Sequence, residues 1–144
     1  RFMDTRPGGG ATFDDVAEGA GAITGTRNLK VTGRTDGVTT PVPASGVAAV
    51  ILNVTVTAPS SGGYLTVFPT GVAKPNASNL NFAAGQTIAN FVNAKTADTR
   101  NLCVWSSAVF SVVLDVAGYF PAGSDFTPIA NPTRILDTRN GIGV

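Results

Sequence analysis

From Gly37 to Ala94 the chain carries a single charged residue, Lys74. The rest of that stretch is mainly Val, Ala, Thr, Ser, Asn, Gly and Pro, with scattered Leu, Ile and Phe. A surface helix needs Glu, Lys, Gln or Arg on its solvent face, and β-branched residues lose side-chain freedom in it. Glu18 is the sole glutamate in the 144 residues. A chain of this kind folds by putting Thr, Ser and Asn on one face of a strand and aliphatics on the other. The expected fold class is therefore all-β.

Alternation and punctuation place the strands. Gly46–Thr57 (GVAAVILNVTVT) begins apolar and ends in strict alternation, Leu52, Val54 and Val56 against Asn53, Thr55 and Thr57. The turn signal APSSGG follows, then Tyr64–Pro69 (YLTVFP), and the two runs read as a hairpin. Further strands are expected at Asn79–Phe82, Thr87–Ala94, Leu102–Ser106 and Ser111–Phe120, with looser ones at Phe2–Thr5 and Thr26–Gly33. This rhythm suits an antiparallel two-sheet β-sandwich. A β-trefoil or other small barrel is the alternative, although a trefoil wants a threefold repeat. The expected core is Val54, Val56, Leu65, Phe68, Phe82, Phe91, Val113 and Val116. A weak echo between ILNVTVT…GYLTVF and IANFVNA…NLCVW reads as a duplicated hairpin.

Composition removes whole classes of function. The chain has no histidine, so imidazole bases and His-ligated metals are excluded. Cys103, the one cysteine, cannot form an internal disulfide or a thiolate metal site. A net charge of +1 offers no basic face for nucleic acid, and no apolar run is long enough for a membrane span. No base–nucleophile pair can be assembled. The chain is read as non-enzymatic, with no catalytic residue, metal or cofactor.

The strongest internal signal spans the chain. RFMDTRPGGGA at Arg1–Ala11 returns as RILDTRNGIGV at Arg134–Val144, keeping Arg, Asp, Thr, Arg and two glycines in step. Residues 1–121 thus form one repeat module, 122–133 a Pro-containing linker, and 134–144 the opening strand of a second repeat. Two copies of one edge strand cannot fill one slot in one domain. Arg134–Val144 must either begin a second module or dock on a neighbouring copy as a donated strand.

The ordered motifs RxLDTR, LNVTVT, GYLTVFP, SNLNF, GQTIAN and DVAGYF resemble a repeat module of secreted actinobacterial proteins. Such modules occur in tandem or beside secreted proteases and cell-wall amidases. The resemblance covers nearly the whole chain and implies a secreted, non-catalytic, all-β accessory domain on the cell surface. It also implies that relatives carry a cysteine where Thr70 stands here, paired with the equivalent of Cys103. Cys103 is then expected to be a buried thiol without its partner.

Several residues are candidates for chemistry. In a strand Asp4 and Arg6 point to one side, so they pair with each other or anchor the opening strand. Asp98–Arg100 repeats the same triplet. Asp115, inside an apolar strand, is expected to be buried with a structural partner. Asn79 and Asn81, with Tyr64 or Trp105 as a stacking face, outline a sugar site. Equally, Asn79 and Asn81 can satisfy loop backbone, as Asn53 and Asn90 can. Asp14, Asp15 and Glu18 form a small acidic cluster without EF-hand spacing. Arg134, Leu136, Asp137 and Arg139 make up the assembly segment.

Two functions remain. One is a structural module of a surface array, stalk or filament, joined head to tail to neighbouring copies of itself. The other is a carbohydrate-binding module for cell-wall polysaccharide.

Overall fold

Strict alternation at Leu52–Thr57 and an unbroken apolar run at Val112–Leu114 make neighbouring strands that share one buried face. The computed structural model describes residues 1–13, 21–96, 101–132 and 135–143. They form β1 (Met3–Asp4), β2 (Ile23–Lys30), β3 (Val47–Thr57), β4 (Gly63–Pro69), β5 (Leu80–Phe82), β6 (Ile88–Lys95) and β7 (Asn101–Pro121). No helix occurs among them, and the fold is an antiparallel sheet rolled until it is nearly closed like a barrel.

β7 is the axis of that sheet. Its first half pairs with β2 on one side and β4 on the other, both meeting Trp105 through Thr26 and Thr66. Its second half pairs with β3 and β1, both meeting Val113 through Thr55 and Asp4. β5 adds to β4, and β6 adds to β3. The inner face gathers Leu52, Val54, Val56, Leu65, Val104, Val112 and Leu114 into one cluster, with Phe82 meeting Phe110 edge-on at 5.1 Å. At the margin, the Asn90 amide donates to the Asn79 carbonyl at 2.6 Å.

Four expectations from sequence are corrected. Leu102–Ser106 and Ser111–Phe120 are one strand. Alternation continues between them, with Ala108 and Phe110 buried and Ser107 and Val109 exposed. Where β7 passes from one half of the sheet to the other and the β2 ladder shifts register, the Ser106 hydroxyl accepts from the Ala108 N–H and donates to the Ala108 carbonyl, satisfying backbone there. Second, β3 and β4 are not a hairpin, because APSSGG does not reverse the chain. It bulges outward at Ala58 (φ 48°) and rejoins β7 through the Ser60 N–H to the Val109 carbonyl. The echoed segments are accordingly not duplicated hairpins either.

Third, Phe91 is 67% exposed. In β6 the inward phase belongs to Val92 and Ala94, and Phe91 stands opposite Asn53 on the outer face. The run TIANFVNA is apolar on both phases, so alternation alone could not choose between them. Fourth, Asp115 is not buried. It lies half-exposed on the outer face opposite Asn53.

Of the other expected core residues, Val116 packs at the edge of the cluster, and Phe68 is buried outside it. The segment between β4 and β5 is held to the outer face by Thr66 Oγ1 donating to the Ala77 carbonyl at 2.7 Å. The linker starts docked, with Phe126 stacked on Phe120 at 4.2 Å and the Ala122 N–H on the Gly46 carbonyl at 2.8 Å.

Phe82→Ala should cost about 3–5 kcal/mol in urea denaturation, as for a large buried ring. Phe91→Ala should change stability by less than about 0.5 kcal/mol, as for an exposed side chain. Equal losses would contradict the register of β6.

Candidate functional site

The Asp-Thr-Arg triplet folds on itself. Arg6 Nε and Nη2 donate to the two Asp4 oxygens at 2.9 and 2.7 Å, and the Arg6 N–H adds a third bond at 3.2 Å. Arg1 Nη1 reaches the same carboxylate at 2.9 Å. This planar, two-bond match of guanidinium and carboxylate is the strong form of an ion pair. The Arg6 hydrogen bonds, aided by the charges of Arg6 and Arg1, hold the Asp4 carboxyl down to about 2 against the opposing effect of burial. Arg6 is raised in turn by Asp4, with a smaller push from Asp115.

Around this fork the opening strand is locked. Phe2 and Met3 are buried in the core, and the buried Arg34 donates to the Phe2 carbonyl at 2.6 Å. The Arg34 guanidinium also lies over the Phe2 ring at 4.8 Å and the Phe13 ring at 5.6 Å. Arg34 was not singled out from sequence, since one arginine in a Gly/Thr loop carries no signal. Gly9 packs against the fork so closely that a Cβ there would sit 2.6 Å from Asp4 Oδ1.

The second copy builds the same fork. Arg139 Nε donates to Asp137 Oδ1 and Nη2 to Oδ2, both at 3.0 Å, with the Arg139 N–H to Oδ1 at 3.1 Å. Gly8 and Gly141, equivalent in the repeat, both take left-handed φ, 65° and 66°. Arg139 is raised by its carboxylate partner. What differs is the strand ahead of the fork. Ile135 and Leu136, the counterparts of Phe2 and Met3, are 82% and 58% exposed. Asp137 bridges to the nearby Ile142, outside the seven strands. Arg134 lies outside the described residues, as do Asp14, Asp15, Glu18 and Asp98–Arg100.

The sugar-site candidates divide. Tyr64 and Asn81 face each other across β4 and β5. They line a cleft of about 310 Å³ with Asn76, Ala77, Ser78 and, from the second fork, Arg139. Asn79 and Trp105 do not line it. Asn79 Oδ1 accepts from the Val67 N–H at 2.6 Å, and the Asn79 N–H donates to the Leu65 carbonyl, so this residue prolongs the β5 ladder. Trp105 leans on Tyr64 at 5.1 Å, and the Lys74 ammonium sits 4.5 Å over the indole. Asn76, Ser78 and Arg139 were missed as cleft partners because they are distant in sequence or sit in turns.

Cys103 is buried, its thiol pushed up by burial and directed at Asn28 Oδ1 at 3.4 Å. Phe68 is its cross-strand partner, so Thr70 stands diagonally from it, with its N–H on the Asn101 carbonyl. Asp115 Oδ1 lies 3.5 Å from the Arg1 backbone nitrogen. No group of three acidic or cysteine side chains converges as a metal site among the described residues. Comparison with protein-family models, curated proteins and solved structures found no match.

Because folding lowers the Asp4 pKa, its contribution is complete above pH about 4 and is lost as pH falls toward 2. Allowing for the solvent around the arginines, the loss is about 1–2 kcal/mol. Urea denaturation at pH 5 and pH 2 should show it, and Asp4→Asn should flatten that part of the profile.

Proposed function

We propose that this chain is a non-enzymatic extracellular repeat module of a surface array or stalk, in which Ile135–Arg139 serves as the opening strand of a succeeding copy. One contrast carries the reading. The same fork is built twice, once with its apolar pair inside a core and once with that pair in water. Each module has one β1 position beside Val113 and Leu114, and Met3–Asp4 fills it here. Ile135 and Leu136 therefore need the equivalent position of another copy, which would bury two aliphatic side chains at about 1.5–3 kcal/mol each. In this reading the two halves of the rolled sheet are the facing layers of a sandwich, and repeats meet head to tail. The resemblance to secreted actinobacterial modules points the same way. The acids and arginines picked out from sequence support a structural role, since Arg6 pairs with Asp4 and Arg139 with Asp137.

A chain in which residues 1–139 are continued by residues 7–144 tests it, because the single RILDTR must then open the second module. Both modules should fold, the amides of Ile135–Arg139 should be protected from hydrogen exchange, and Leu136→Asp should unfold the second module as Met3→Asp unfolds the first. Free exchange at Ile135–Arg139 beside a folded second module, or a second module that stays unfolded, would refute the reading.

Carbohydrate binding is the second reading. The cleft that gathers Tyr64 and Asn81 favours it.

A further inference from the structure

The cleft on the outer face of β4 and β5 has a chemistry more specific than a generic sugar site. Its polar lining residues are Tyr64, Asn76, Ser78, Asn81 and Arg139, and no acidic residue is among them. The four neutral side chains have no hydrogen-bond partner among the described residues. Arg139 is held in a fixed orientation by Asp137 through Nε and Nη2, which leaves the guanidinium's remaining N–H groups to point elsewhere. Asp137, the acid closest to the cleft in sequence, is itself buried, with both oxygens engaged by Arg139 and Asn140. A second cation stands beside the cleft, the Lys74 ammonium 5.5 Å over the Tyr64 ring. It is the only charge between Gly37 and Ala94. Amide and hydroxyl groups match sugar hydroxyls, the Tyr64 ring offers an apolar surface, and two cations without an acid select a negative group.

We propose that this cleft binds an acidic saccharide, a sugar unit carrying a carboxylate or phosphate that Arg139 receives while Asn76 and Asn81 hold its hydroxyls. The assignment rests on the carbohydrate-binding reading and gives it a substrate class. It also ties ligand binding to the repeat, because Arg139 belongs to the second copy of the opening motif while the other lining residues belong to the first module. If the modules are joined as proposed, each junction carries one such site, made from both sides.

Titration calorimetry and amide NMR on the full chain test this with three probes: a uronic-acid hexasaccharide, a glycerol-phosphate oligomer and a neutral glucan hexasaccharide. At least one acidic probe should bind ten times or more tightly than the neutral glucan, shifting the amides of Tyr64 and Asn81. Whichever acidic probe binds better identifies the anion as carboxylate or phosphate. Raised salt should weaken the binding. Arg139→Gln should weaken it tenfold or more with an unchanged melting temperature, and Arg139→Lys should restore part of it. Equal affinity for the neutral glucan at the same amides would overturn the acidic assignment while leaving the carbohydrate reading intact. Absence of binding by all three probes, or full acidic affinity in Arg139→Gln, would overturn the proposal at this cleft.

Discussion

Backbone hydrogen bonding along one strand organises this molecule. β7 pairs along nearly all of its length, and on both edges at Leu102–Ser106 and Val113–Leu114, so four other strands find their register against it. A strand with both edges paired and most side chains inside must be nearly continuous in apolar character. Val112–Leu114 has that property, flanked by β3 and β1 with all three side chains buried, and Asp115 next to it turns outward. The register shift beside Ser106 falls where one strand passes between the two halves of the sheet. The hydroxyl of that residue does there what a cross-strand partner does elsewhere.

Much of this was legible in the sequence. Strand positions at Val47–Thr57 and Gly63–Pro69 followed from alternation and from the turn residues beside them. What sequence could not resolve was which strands pair. APSSGG carries every mark of a reversal, yet it works as a bulge on a chain that continues along the same neighbour. The difference lies in the long-range hydrogen bond from Ser60 to Val109, which local chemistry does not encode. Phe91 failed for a related reason. Its strand is apolar on both phases, and the phase is fixed by pairing with β3 rather than by composition.

For the candidate site the division is similar. The two Asp-Thr-Arg triplets were visible as a repeat, and their side chains pair within a few residues, so local geometry sufficed. The cleft was half visible. Alternation put Asn79 and Asn81 together, but Asn79 is drawn into the ladder by Val67 and Leu65. Arg139 reaches Tyr64 and Asn81 only because the chain returns after β7, a relation no spacing in the sequence announces.

The position of β7 in the chain has a consequence for how the molecule forms. It is the last of the strands, yet β1, β2, β3 and β4 all wait for it. A chain emerging from its N-terminus can beforehand close only the β3–β6 and β4–β5 ladders, and the earliest segments hold no lasting partner until Asn101–Pro121 arrives. The pairing of Met3 with Leu114 then closes a loop of almost the full module. Such distant closures carry the largest entropic cost before any contact offsets it, so native structure should appear late, slowly and all together.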